Sequence, residues 1–202
     1  PVIADVPVDP EVLAAYEAAS RLLEELGHDV EDVEVPMGRD AVPVFETCWA
    51  VGTAASVPPG REDDVRPLTR WLATRGLGTS GPAYALAVGE LRRVAAATVR
   101  TLAPYDAVLT PTLAQLPAPV GALRDDASPE RDFENQKAFT PWTSAWNVTG
   151  MPAVSLPLHH TAADLPVGVM LAGRPGEDHR LLALAAQVEE VAPWRDRTPP
   201  CW

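Results

Sequence analysis

The sequence predicts a chain of the α/β or α+β class, on three observations. Apolar residues recur at helical spacing over residues 9 to 26 and 178 to 191, the signature of helices with one buried face. Ala153 to Leu158 sets Val154, Leu156 and Leu158 in alternation, and Val167 to Ala172 is a second short apolar run, so both read as strands. The linker His159 to Pro166 is short enough to join them as an antiparallel hairpin.

The elements follow in order. Asp9 suits a helix N-cap, Pro10 the first helical position and Glu11 the positive end of the helix dipole. Val12, Tyr16, Ala19, Leu23 and Leu26 then form one face, and Gly27 supplies a stop. Asp29 to Val35, with Val30, Val33 and Val35, predicts a short strand closed by Pro36. A helix is expected over 44–57, a loop over 58–64, and a short helix over 65–75. Ser80-Gly81-Pro82 opens a longer helix to about Ala103, with Leu86, Leu91, Val94 and Leu102 on its buried side. Ala107 to Thr110 suits a buried strand end before Pro111. Residues 111–132 read as a long loop, the kind that serves a site or covers a surface, and 133–138 as a helical turn or two. The last helix, 178–191, carries Leu181, Leu184, Ala185, Val188 and Val191 in register. No internal repeat and no domain linker interrupts residues 1–202, so one portion of a single domain is expected.

Composition limits the functions. The 47% hydrophobic and 22% charged fractions are ordinary for a globular protein. Acids outnumber bases 28 to 16, for a formal charge of -12, and no basic cluster breaks that balance. Neither nucleic acid nor an anionic membrane surface is an expected partner, because both need clustered Lys and Arg. No apolar run approaches a membrane span and no secretory signal is visible, so a cytoplasmic location is expected. The chain starts at Pro1 rather than Met, so an upstream segment carrying any targeting signal is expected to lie outside it. Cys48 and Cys201 stand far apart with no metal spacing, and no metal or cofactor site is expected.

A search for chemistry returns little. Nucleophilic hydrolysis needs an activated nucleophile beside a base. No serine lies in a G-x-S-x-G elbow. Ser80 in Gly78-Thr79-Ser80-Gly81 reads as a helix cap, and Ser155 as a residue inside a strand. His159 and His160 are adjacent; on a strand they would point to opposite faces, and a solvated loop is the plainer reading. Glu46 and Glu134 read as solvated single acids, and Lys137, the only lysine, as an exposed helical residue. Cys48 reads as a small buried hydrophobe.

Five stretches, in order along essentially the whole chain, resemble the C-terminal half of amidase-signature enzymes. They are Val8-Asp9-Pro10-Glu11 leading through Leu22-Leu23-Glu24-Glu25-Leu26-Gly27-His28-Asp29-Val30-Glu31 to Val35-Pro36; Tyr105-Asp106-Ala107-Val108-Leu109-Thr110-Pro111-Thr112; Trp146-Asn147-Val148-Thr149-Gly150-Met151-Pro152-Ala153-Val154-Ser155-Leu156-Pro157-Leu158; Leu165-Pro166-Val167-Gly168-Val169; and a closing helix with Gln187-Val188-Glu189. Two places depart from the family pattern: Met151 stands where Gly-Gln-Pro is frequent, and Ala163-Asp164 where Asp-Gly is usual. The second bears on the hairpin turn, since Gly reaches positive φ without penalty.

The resemblance implies an α/β fold, a mixed β-sheet covered by helices, that is incomplete without an N-terminal half. It implies hydrolysis of carboxylic amide C–N bonds through a serine acyl-enzyme, using a Lys and two Ser that lie in that other half. This chain has no Ser-Ser pair, so no catalytic residue carries over and the chain alone is expected to be inactive. The small-molecule amide and the N-terminal half are the implied partners, with self-association through an exposed sheet edge as a further expectation. Cys48, Trp49, Phe139, Trp142 and Asn147 are the candidate substrate-pocket residues: apolar and aromatic walls with one polar anchor. Core packing and turn stabilisation are the plainer readings of the same residues. The rival functions are a non-catalytic binding or assembly module on the same half-fold, a self-sufficient hydrolase using Ser155, Ser80 or Cys48, and a tRNA-dependent amidotransferase subunit.

Overall fold

The computed structural model describes residues 6–198, which leaves Cys201 outside the described residues. Helix α1 (Pro10–Glu25) starts as its sequence dictates: the Asp9 carboxylate accepts from the Glu11 amide at 2.8 Å and Pro10 occupies the first turn. Its buried stripe is Val12, Ala15, Ala19 and Leu23. Helices α2 (Val42–Ser56) and α3 (Pro67–Leu77) pack on each other, and α4 (Gly81–Leu102) follows, with the Ser80 hydroxyl accepting from the Ala83 amide at 3.2 Å. Ser80 is therefore a cap. The buried stripe of α4 is Ala87, Val94, Thr98 and Leu102, and Leu86 is 76% exposed. Leu86 stands about 80° around the helix from Val94, off the stripe, because helical residues turn about 100° each.

Strands β1 (Ala107–Pro111), β2 (Ala153–His160) and β3 (Pro166–Gly173) form an antiparallel sheet in the order β1-β3-β2. The β2–β3 hairpin is the one expected, extended at both ends. Its register shifts between Leu156 and His159, and the histidines are strand residues rather than loop residues: His159 pairs with Val167 and His160 with Pro166. The turn keeps its shape with Asp164 at φ 59°. The Asp164 amide donates to the Thr161 carbonyl, and the Thr161 hydroxyl accepts from the Ala163 and Leu165 amides. An L-residue held left-handed is strained, so Asp164→Gly is expected to stabilise by about 0.5–1 kcal/mol and Asp164→Val to destabilise by about 1–2 kcal/mol. Urea midpoints at unchanged slope will read both.

Two further expectations change. Residues 129–139 form a full helix, α5 (Pro129–Phe139), because Ser128-Pro129-Glu130 starts it earlier than the apolar pattern suggests. Asp29 to Val35 is not a strand: it pairs with no strand among the described residues, and its amides donate to no described backbone carbonyl. Helix α6 (Thr143–Thr149) ends at Gly150, at φ 69°, and α7 (Asp178–Val191) closes the fold, with Val191 52% exposed at its last position.

The sheet has helices on both faces. Val108, Met170 and Ala172 on one face meet Val94, Leu102, Trp142 and Trp146 from the α4 and α6 side. Leu156, Leu171, Val167 and Val169 on the other meet α1 and α7 through Ala19, Leu23, Leu181 and Val188. Among the described residues no helix is long and apolar enough to cross a membrane.

A cavity walled by helices α2, α5 and α6

The candidate site grows from an aromatic cluster. Phe45 and Trp49 lie one turn apart on α2, so their rings meet on one face, centroids 5.3 Å apart and nearly perpendicular. Trp49 stands edge-on to Phe133 of α5 at 5.4 Å, and Phe133 meets Trp71 of α3 at 5.8 Å. Phe133 is 1% exposed and pins α5 to the α2–α3 pair.

One turn beyond Phe133, the Lys137 ammonium lies 5.0 Å from its ring and bonds Glu46 at 2.5 Å and Glu134 at 2.6 Å. Arg75 reaches Glu46 from the other side at 3.6 Å and stacks over Trp71. The Lys137 side chain is 22% exposed and that of Glu46 16%, so neither is the solvated surface group its sequence setting suggests. Burial pulls the Lys137 pKa down, while the hydrogen bonds to Glu134 and Glu46 push it up and win. Lys137 is therefore a held cation at neutral pH, and a cation has no lone pair to act as a general base.

Of these groups, Phe45, Trp49, Glu134 and Lys137 border a cavity of about 670 Å³. Pro43, Phe45, Trp49, Ala138 and Pro141 give it apolar walls, and Glu134, Lys137, Thr143, Ser144 and Asn147 supply polar groups. Its size and mixture suit a small molecule with a carbon skeleton and one or two polar functions. A second cavity of about 560 Å³ shares Trp49, Lys137 and Thr140 with it and is lined further by Phe133, Phe139, Gln136 and the loop 118–124.

The five candidate residues fall in three places. Trp49 and Asn147 line the first cavity, and Phe139 lines the second. Trp142 is 5% exposed, packed in the core under the sheet. Cys48 is half-buried on α2, outside the lining of both cavities, and burial raises its thiol pKa. A thiol held protonated is a poor nucleophile. Lys137 and Glu46 were not legible as a site. The Glu134 and Phe133 spacings point at Lys137 locally, but Glu46 is 91 residues away and no local pattern joins them.

Among the described residues no serine hydroxyl is hydrogen-bonded to a His, a Lys or a carboxylate. The Ser155 hydroxyl bonds Thr112 at 2.7 Å on the open end of the sheet. His28 bonds Gln187, His160 bonds Arg197, and His159 lies 3.7 Å from Glu11. Among the described residues, no group of three His, Cys, Asp or Glu is arranged to hold a metal ion.

The sequence profile described as "Amidase" matches residues 2–182. The chain is 37% identical over 194 residues to the putative amidase AmiC of Mycobacterium tuberculosis (strain ATCC 25618 / H37Rv), covering 92% of this chain and 41% of that protein. It is 32% identical over 216 residues to the 6-aminohexanoate-cyclic-dimer hydrolase of Paenarthrobacter ureafaciens, covering 98% of this chain and 43% of that protein. A solved 6-aminohexanoate cyclic dimer hydrolase superposes with a TM-score of 0.87 at 29% identity, over 98% of this chain and 44% of that one. The chain thus spans about two fifths of the length of the curated relatives it matches.

Proposed function

Since this chain belongs to the amidase family, we propose that it is the C-terminal portion of one amidase domain, with no domain boundary inside it, and that the whole protein hydrolyses linear or cyclic carboxylic amides. The cavity between α2, α5 and α6 is its contribution to substrate binding. Phe45 and Trp49 cover the carbon skeleton of the acyl group, and the Asn147 amide orients a polar function. The Lys137–Glu46–Glu134 cluster holds α5 against α2 and keeps the polar rim in place. The Lys and two Ser of the acyl-transfer machinery belong to the remainder of the protein. The observation that carries this reading is the cavity itself, of a size for a small molecule and with apolar walls and a few polar groups.

The test is ammonia or amine release from a panel of simple and cyclic amides. The 202-residue chain alone is expected to give no turnover, and addition of the remainder of an amidase is expected to restore it. Turnover by the chain alone, lost on replacing Ser155, Ser80 or Cys48, would overturn the proposal.

A further inference from the structure

The second cavity, of about 560 Å³, runs against the charge of the chain. Acids outnumber bases 28 to 16, yet among the described residues each charged group lining this cavity is a base: Arg66, Arg124 and Lys137. Lys137 is already matched, since it bonds Glu46 and Glu134. The arginines are not. Both turn to one carboxylate, Asp126, which Arg124 holds through two nitrogens at 3.0 and 3.1 Å and Arg66 meets only at 3.9 Å. Two guanidiniums against one carboxylate leave a positive charge at the rim, and the loose Arg66 contact leaves most of its donor fork unused. The side chains of Arg66 and Arg124 are 56% and 46% exposed, so a ligand can reach them. Beside them, Leu123, Phe133 and Phe139 supply apolar wall. Trp49, Lys137 and Thr140 border both cavities, so the second adjoins the first.

We infer that the second cavity is the far end of the acyl site and takes a carboxylate, so that the substrates are half-amides: acyl chains with the scissile amide at one end and a carboxylate at the other. The inference rests on the proposed function, which sets the acyl skeleton against Phe45 and Trp49. From Trp49, common to both cavities, the chain continues along Leu123 and Phe139 to the arginines. Their planar forks match a two-oxygen acceptor better than any neutral group on that wall. The need for them follows from the whole molecule. A formal charge of -12 repels an anion at long range, and local cations offset that repulsion where the ligand ends. Lys137 has a separate part: by holding Glu46 and Glu134 it keeps two bare carboxylates from facing the incoming anion.

The experiment titrates the 202-residue chain by calorimetry with linear half-amides from succinamate to suberamate, and with the primary amide and the monocarboxylate of each chain length. The best half-amide is expected to bind about tenfold tighter than its matched amide and its matched acid. Added salt should shrink that preference, because the arginines are partly exposed. Arg66→Gln plus Arg124→Gln should bring the half-amide down to the level of the amide, with an unchanged near-ultraviolet circular dichroism spectrum as the check that the variant is folded. No preference over the neutral amide, or a preference that survives the double variant, overturns the inference and leaves the amidase reading standing. Equal binding of half-amide and monocarboxylate also overturns it, since the carboxylate site would then be unconnected to the amide cavity. No binding of any probe overturns it and counts against the first cavity as a substrate site. The expected preference, without turnover once the remainder of an amidase is added, supports the paired cavities and counts against the hydrolytic reading.

Discussion

Gly76→Ala is expected to destabilise the fold by about 3 kcal/mol, although the same change in an ordinary helix stabilises by about 1 kcal/mol. Gly76 lies in α3 where that helix crosses α2. A Cβ built there falls 2.1 Å from the Ala50 carbonyl oxygen, 2.6 Å from its carbon and 2.9 Å from the Ala54 Cβ. Two of those three atoms are backbone, so no rotamer change relieves the clash and the helices must part. Ala50 directly follows Trp49 on α2, so a displaced α2 carries the aromatic wall of the cavity with it. Gly89 is the control, since it is exposed in the middle of α4 and a Cβ there meets nothing within 4 Å. Gly89→Ala should stabilise by about 1 kcal/mol, because only helix propensity is then at work. Denaturant midpoints of the two variants should move in opposite directions. A Gly76→Ala midpoint equal to or above that of the parent would mean that α2 and α3 do not cross as closely as described.

How much of this was readable beforehand depended on whether a feature is local. Asp9-Pro10 and Ser80-Gly81-Pro82 start helices through bonds to amides two or three residues on, and both were legible. The β2–β3 hairpin was legible because its strands alternate and its turn is short. The unpaired state of Asp29–Val35 was not, since valines at strand spacing signal a capacity for pairing and say nothing about whether a partner is at hand. The sequence understates helix α5, because its first turn is polar and its buried residues, Asp132 and Phe133, are not an apolar stripe. In the candidate site, Trp49 and Asn147 are visible in the sequence as residue types suited to a pocket, whereas Glu46 and Lys137 read there as solvated. Their ion pair forms only once α5 folds across α2, a contact that spans 91 residues and leaves no periodic trace.

Phe133→Ala is expected to cost about 4 kcal/mol, a large share of the roughly 5–15 kcal/mol that holds a domain folded. The ring is 1% exposed and sits where α2, α3 and α5 meet, against Trp49 and Trp71 and beneath Lys137. Truncation removes a full aromatic side chain from a site whose walls are helices and cannot collapse inward freely. Phe133→Leu separates volume from aromaticity. It keeps most of the packing and loses the edge-on contact with Trp49 and the tilted contact with Trp71, each worth about 0.5–1.5 kcal/mol, together with the cation above the ring. Its expected cost is therefore about 1–2 kcal/mol. The two variants should also differ in where they loosen. In Phe133→Ala the α5 amides should exchange faster while those of the β2–β3 hairpin keep their protection, because α5 packs chiefly on α3 and the hairpin strands chiefly on each other. Near-ultraviolet circular dichroism should fall in step, as Trp49 and Trp71 lose their common neighbour. If Phe133→Ala lost less than about 1 kcal/mol, α5 would have to be held by the Lys137–Glu46 pair instead. A Glu46→Gln variant would then show the large loss that an ion pair this shielded from water gives when one partner is neutralised.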